Sequence, residues 1–201
     1  MVGRELAPIC VDCHGEQGVS DDPLTPNIAG QKLSYLRKQL GSMRNAARER
    51  VGDQFAAAES SKAANQIQSF LRKERSAEFM DEAVLGLNDQ QIFDLAAYYA
   101  TQTCGQSRPI NDMSVPPLVA DRCVVCHGEN GISKGQRFPN IAGQHLDYIR
   151  DQLIEFKLAG LEAKTGNKNI SRNKSMSLQV ADLKIVEIEE LAVYFAALPC
   201  Q

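Results

Sequence analysis

A five-residue pattern, C-x-x-C-H, occurs twice and constrains this chain more than any other feature. It spans Cys10–His14 and again Cys123–His127. This is the attachment pattern of c-type haem, in which two thiols form thioethers to the porphyrin and the adjacent histidine binds the iron. The spacing is mechanical, because the pattern makes one helical turn that spans the two vinyl groups. Two copies in matching surroundings predict two covalently attached haem c groups.

The surroundings of the two copies match at a constant offset of 113 residues. Pro26–Gln31 recurs as Pro139–Gln144, with the sequence Pro-Asn-Ile-Ala-Gly-Gln in both places. Farther along, the offset falls to 96, which implies a net insertion of 17 residues between Leu40 and Met80. A repeat of this length predicts an internal duplication, with two homologous haem domains.

The repeat and the apolar spacing predict an all-α fold of two tandem haem domains. We expect a first domain over 1–105, a linker over 106–117 with three prolines, and a second domain over 118–201. Apolar residues at helical spacing predict a helix after each Gly-Gln pair and a last helix in each half. The Ala-rich, charged stretch at about 41–75 predicts an extra inserted helix.

The sixth iron ligands are expected to be methionines. Met80 and Met176 are the methionines that correspond under the repeat, and each lies on a predicted loop before the last helix. A thioether is a soft, neutral ligand that raises the reduction potential. Ordinary core packing is the alternative role for both side chains. Met43 is the fallback ligand in the first half, and His145 is the histidine that remains after His14 and His127 are assigned as proximal ligands.

Other repeated residues are candidates for supporting roles. A haem-ligating histidine usually donates its second ring N–H to a carbonyl, and Pro26 and Pro139 are the candidate acceptors. Tyr35 and Tyr148 are candidates for contact with haem propionates or for the domain interface, and half-buried core positions are the alternative. Arg75 and Arg172 are further candidates for pairing with propionates, and solvated surface positions are the alternative.

Two cysteines, Cys104 and Cys200, lie outside the attachment patterns and are equivalent under the repeat. Equivalent residues meet only near a twofold axis. A disulfide between them would tie the two domains together in an oxidising compartment, and two separate thiols are the alternative.

Composition excludes several classes of function. The net charge of −3 gives no basic footprint for nucleic acid, and no apolar run approaches the length of a membrane span. No leader precedes Cys10, so we expect an exported, periplasmic chain whose leader is absent from this numbering. Any membrane association is expected to be peripheral.

These motifs together resemble the dihaem cytochrome c4 family, over almost the whole chain. The resemblance rests on both C-x-x-C-H-G motifs, the Pro-Asn-Ile-Ala-Gly-Gln turns, the segment Met80–Asp89 and the Leu-Ala-Ala-Tyr-Tyr helix. It implies an all-α fold of two tandem class I cytochrome c domains, which face each other across a pseudo-twofold axis. It also implies single-electron transfer between redox proteins. By motif match it implies two ligand sets, which are Cys10, Cys13, His14 and Met80, and Cys123, Cys126, His127 and Met176. The insertion and the paired Cys104 and Cys200 depart from the pattern expected of the family.

The leading hypothesis is therefore a periplasmic electron carrier rather than an enzyme. It would pass electrons from respiratory or sulfur-oxidation donors, such as a dehydrogenase or cytochrome complex, to a terminal oxidase or other acceptor. The alternative is the electron-accepting haem subunit of a periplasmic oxidoreductase, such as a flavocytochrome c sulfide dehydrogenase or a thiosulfate-oxidising enzyme. A zinc or dithiol protein is a third hypothesis, but it explains neither the histidines nor the methionines.

Overall fold

The structure, a computed structural model, describes residues 2–58, 77–105, 115–165 and 173–200. The described residues of the first half form five helices. Helices of the first half are α1 (Val2–Leu6), α2 (Pro8–His14), α3 (Leu33–Ala58), α4 (Ala77–Leu85) and α5 (Asp89–Ala100).

The second half repeats this order without a counterpart of α1. A 3₁₀ turn at Leu118–Ala120 leads into α6 (Asp121–His127), α7 (Leu146–Lys164), α8 (Lys174–Val180) and α9 (Ile185–Ala197). The described ranges contain no β-strand, so the expected all-α fold is confirmed.

The last helix of each half forms the centre of its core. In α5 and α9 the buried faces correspond residue by residue: Ile92 and Ile188, Leu95 and Leu191, Ala96 and Ala192, Tyr99 and Phe195. Asn88 begins α5 with a capping box, because its side chain accepts from the Gln91 N–H while the Gln91 side chain accepts from the Asn88 N–H. Burial of these matching apolar faces fixes the same helix packing in both halves.

Helix α3 corrects the expected position of the insertion. Residues 41–58 do not form a separate inserted helix but continue α3, whose counterpart α7 is also long. Helices α3 and α7 begin at equivalent residues, Leu33 and Leu146, and both run without a break. The offset of 113 therefore holds as far as Val51, which corresponds to Lys164, the last residue of α7. Gly160 in α7 and Ala47 in α3 are both buried, and Gly160 lies against Ser177 and Ala181. The extra length therefore follows Val51, and 59–75 lies outside the described residues.

The two domains meet at the loops that follow the attachment helices. Cys104 and Cys200 form a disulfide across this contact, with their Cα atoms 6.0 Å apart. Gly30 and Gly143 pack against these cysteines, and a Cβ on Gly143 would lie 2.8 Å from the Cβ of Cys200. Residues 106–114 of the expected linker, including Met113, lie outside the described residues. No helix in the described ranges is long and apolar enough to cross a membrane.

Candidate haem sites

The two attachment patterns adopt the same local structure. Helices α2 and α6 each carry both cysteines and end at the histidine. The following glycines, Gly15 and Gly128, have φ of 76° and 81°, and this left-handed conformation turns the chain away from the helix. Cys10, Cys13, Cys123 and Cys126 form no disulfide, so all four sulfur atoms are available for thioether bonds.

Each histidine is buried and held by a proline carbonyl. His14 is 6% exposed and His127 is 5% exposed. In each the Nδ1 atom lies 2.9 Å from a carbonyl oxygen, that of Pro26 or of Pro139, as the sequence suggested. Burial lowers the pKa of both imidazoles, and the carbonyl contact offsets part of this effect. A neutral ring that donates through Nδ1 leaves Nε2 as the lone-pair donor for iron, so both sites fit a haem.

The turns that supply these carbonyls are fixed by asparagine and serine. The Ser20 N–H donates to Asn27 Oδ1 at 2.9 Å, and the Ser133 N–H donates to Asn140 Oδ1 at 3.1 Å. Ser20 also donates its hydroxyl to the carbonyl of Cys13 at 2.9 Å, which ties the turn to the attachment helix. These bonds close the loop between histidine and proline, so the acceptor oxygen is held in place before any ligand binds.

One cysteine of each pair faces the apolar interior. Cys10 and Cys123 pack against the buried clusters of their own halves. Burial raises the pKa of the Cys123 thiol to about 11, and it also raises the pKa of Cys10, where a hydrogen bond with Tyr99 acts in the opposite direction. Both sulfur atoms therefore lie in an apolar environment, which suits attachment of a largely apolar porphyrin.

The methionines lie on short helices, and the expectation of loops was wrong. Met80 is in α4 and Met176 is in α8. Each is partly buried and packs against the same apolar cluster as Cys10 or Cys123 of its own half. In the second half the physical reason is local capping, because Asn173 accepts from the Met176 N–H at 3.4 Å and so begins α8. The structure thus places each candidate methionine on the core that also carries an attachment cysteine.

Cationic side chains fix the carboxyl ends of the methionine helices. In the first half Arg48 donates to the carbonyl of Leu85 at 3.2 Å, and Arg44 donates to the carbonyl of Leu87 at the same distance. In the second half Lys157, the counterpart of Arg44, donates to the carbonyl of Ala181 at 2.9 Å. Cations at this end donate to helix carbonyls that have no partner within the helix, and they interact favourably with the negative end of the helix dipole.

Lys157→Met tests this role. We expect it to lower the free energy of unfolding by about 1 kcal/mol, because a charge-assisted hydrogen bond to a helix end is lost. The midpoint of unfolding in a denaturant titration should fall below that of the unmodified protein. Lys134→Met, at an exposed lysine, is the control. Equal midpoints for the two variants would contradict the role.

The alternative ligands have other contacts. Met43 packs against the first core from α3, and its counterpart Phe156 packs against the second core in the same way. Nε2 of His145 lies 2.9 Å from the carbonyl oxygen of Ser20 in the other domain. A position that holds phenylalanine in one half is suited to core packing, and a ring nitrogen engaged across the interface is not directed at iron.

The other supporting candidates are placed less directly. Tyr35 and Tyr148 occupy equivalent positions near the starts of α3 and α7 and are partly buried. Arg75 and Arg172 lie outside the described residues. Among the described residues, no three His, Cys, Asp or Glu side chains cluster as a metal site would require.

Two glutamines at the interface were missed as functional candidates. Gln31 and Gln144 were expected to start helices, but those helices begin at Leu33 and Leu146. Each glutamine side chain instead binds the Pro-Asn turn of the other domain. The sequence did contain a signal, because glutamine follows the Pro-Asn-Ile-Ala-Gly turn in both halves. A helix can start with many residue types, so a helix start alone does not explain why both positions hold glutamine.

Comparison with known proteins agrees with this geometry. The model of the cytochrome c family matches residues 3–103 and again 117–198. A cytochrome c4 from Thiocapsa roseopersicina is 31% identical over 162 residues, which cover 74% of this chain and 69% of that protein. The crystal structure of reduced recombinant cytochrome c4 from Pseudomonas stutzeri superposes with a TM-score of 0.67 at 25% identity, covering 98% of this chain and 97% of that one.

A relative with a more specific name is also similar. A thiosulfate dehydrogenase electron acceptor from Stutzerimonas stutzeri (strain A1501) is 26% identical over 197 residues, which cover 94% of this chain and 79% of that protein.

Proposed function

Because the chain belongs to the cytochrome c4 family, and so is an electron-transfer protein with two covalently bound haem c groups, we propose that it carries single electrons in the periplasm. One observation carries the proposal. In both domains the histidine of the attachment motif is buried and donates through Nδ1 to a proline carbonyl, with a methionine on the same apolar core. Electron transfer needs a ligand set that changes little between oxidation states, and a rigid protein supplies it.

The proposed ligands are assigned by domain. The amino-terminal domain binds haem through Cys10 and Cys13, with His14 and Met80 on the iron. The equivalent residues of the carboxyl-terminal domain are Cys123, Cys126, His127 and Met176. The haem supplies a one-electron Fe(III)/Fe(II) couple, and the protein holds the histidine orientation, keeps the imidazole neutral and excludes water.

The proposed partners are other redox proteins. The donors are respiratory or sulfur-oxidation enzymes, and the acceptor is a terminal oxidase or another cytochrome. The two attachment helices differ at the surface, since Asp12 is exposed in the first and its counterpart Val125 is 85% exposed in the second. This difference supports distinct partners for the two domains, because an acidic surface favours a basic partner surface and an apolar surface favours an apolar one.

A second candidate function is the electron-accepting subunit of a periplasmic oxidoreductase. The similarity to a thiosulfate dehydrogenase electron acceptor favours it. The exposed apolar residues Leu118 and Val125, next to the second attachment site, would suit a lasting protein contact. A carrier purified from its native host elutes as a free chain of 22.1 kDa plus its haems, whereas a subunit co-elutes with a dehydrogenase that reduces it.

Spectroelectrochemical titration tests the proposed function. We expect two one-electron steps at positive potential, each accompanied by the long-wavelength band of methionine-ligated Fe(III). Neither ferrous haem should bind carbon monoxide readily, because both axial positions are filled. Rapid carbon monoxide binding at one site, or a missing band, would reject the carrier for that domain and favour a catalytic haem.

A further inference from the structure

The interface contains two glutamine–turn pairs of equal geometry. Gln144 Oε1 accepts from the Asn27 N–H at 2.8 Å, and Gln144 Nε2 donates to the Asn27 carbonyl at 2.9 Å. In the mirror pair Gln31 Oε1 accepts from the Asn140 N–H at 2.8 Å, and Gln31 Nε2 donates to the Asn140 carbonyl at 2.8 Å. The main chain fixes the orientation of both side-chain amides, because an N–H can only donate and a carbonyl can only accept.

Each of these N–H groups belongs to the peptide whose carbonyl holds a proximal histidine. The Pro26–Asn27 peptide accepts from His14 through its oxygen and donates to Gln144 through its nitrogen. The Pro139–Asn140 peptide does the same between His127 and Gln31. A single peptide unit therefore separates each histidine from a glutamine of the opposite domain.

The glutamine oxygens are fixed acceptors. Gln144 Oε1 also accepts from the His145 N–H at 3.0 Å, and Gln31 Oε1 accepts from the Lys32 N–H at 2.9 Å. Gln31 and Asn27 are buried, with 9% and 7% exposure. Water therefore has little access with which to replace the glutamine at this peptide.

The geometry points to Gln31 and Gln144 as positioning residues that tune the reduction potential of the haem in the opposite domain. An acceptor on a peptide N–H polarises the peptide and makes its carbonyl oxygen a stronger acceptor, since hydrogen bonds in a chain reinforce one another. A stronger bond from histidine Nδ1 makes the ring a better electron donor to iron, which favours Fe(III). Each glutamine thus lowers the potential across the interface. This inference rests on the proposed histidine ligation.

Two matched variants, Gln144→Met and Gln31→Met, test this crossed arrangement in the full-length dihaem protein. Methionine has a similar length and makes no hydrogen bond to the peptide. We expect Gln144→Met to change the redox equilibrium constant of the amino-terminal site by about threefold in favour of Fe(II). At 59 mV per tenfold change, this raises the reduction potential of that site by about 28 mV. Gln31→Met should do the same to the carboxyl-terminal site, and the other site should stay unchanged in each variant.

Proton NMR identifies the two sites. The resonances of each domain are assigned with Met80→Ala and Met176→Ala, each of which alters the signals of one haem. In Gln144→Met the Nδ1–H resonance of His14 should move upfield as its hydrogen bond weakens, while that of His127 stays in place. A purely structural role would move both histidines or neither, and either result would overturn the inference.

A third variant covers the case in which the methionine variants fail to fold. Gln144→Glu keeps the side-chain length and offers the Asn27 N–H a stronger, charged acceptor, although it loses the donation to the Asn27 carbonyl. It should lower the potential of the amino-terminal site more than that of the carboxyl-terminal site, and a rise would overturn the inference. If the unmodified protein lacks methionine–iron bands, the proposed function fails. If those bands are intact and no crossed shift appears, only this inference fails.

Discussion

Met176→Ala is expected to lower the reduction potential of the carboxyl-terminal haem by about 0.2 V, because the proposed iron ligand, a neutral thioether that favours Fe(II), is lost. The long-wavelength band of that domain should disappear, and its ferrous form should bind carbon monoxide. The amino-terminal site should keep its potential and its band, since Met80 lies on the separate core of the other domain. Potentiometric titration of the two haems measures the effect.

Met80→Ala is the matched experiment in the other domain, and Met43→Leu is its control. Met80 lies on α4 and Met43 on α3, and both pack against the first core. We expect Met80→Ala to change the amino-terminal potential as Met176→Ala changes the other, and Met43→Leu to leave both bands intact. The reverse outcome would make Met43 the ligand in the first domain and break the symmetry of the ligand sets.

The repeat explains why so much of the site was predictable. Equivalent residues at fixed offsets occupy equivalent environments, so the pairs His14 with Pro26 and His127 with Pro139 could be proposed without coordinates. The last helices followed from apolar spacing, because their buried faces are regular and capped. Covalent attachment itself needs only five consecutive residues, so it is a local property that a sequence displays directly.

Properties that depend on contacts between distant segments were not predictable in the same way. Met80 and Met176 were placed on loops, because the cationic side chains that bind the carboxyl ends of α4 and α8 come from other parts of the chain. The roles of Gln31 and Gln144 depend on how the second domain faces the first. No periodicity within one segment encodes that orientation, and only their repetition hinted at it.

The insertion shows the same limit. Its length could be counted from the change of offset, but its start could not, because the sequence after Leu40 diverges between the halves. Helix α3 continues past Gly41 and carries the buried residues Arg44 and Ala47. Arg44 binds both the carbonyl of Leu87 and the carboxylate of Asp89, at 2.7 Å for the ion pair. This contact joins α3 to the start of α5, and amino-acid composition cannot predict it.

Replacing both Cys104 and Cys200 by serine is expected to cost about 4–5 kcal/mol of the free energy of unfolding of the whole chain. The bond closes a loop with a sequence separation of 96 residues, and its loss restores conformational freedom mainly to the unfolded state. Denaturant titration, followed through the absorption of the bound haems, measures the loss. The comparison is the oxidised, unmodified protein in the same buffer.

We expect the interface between the domains to stay native when both cysteines are replaced by serine. That result would show that the disulfide acts by lowering the entropy of the unfolded chain and not by packing the folded interface. The domains remain joined through the linker, which holds them at high effective concentration, and the hydrogen bonds of Gln31 and Gln144 remain. Both reduction potentials should therefore stay close to those of the unmodified protein while the unfolding midpoint falls. An unchanged midpoint would show that the bond adds no stability, and potentials that shift together would show that it shapes the folded interface.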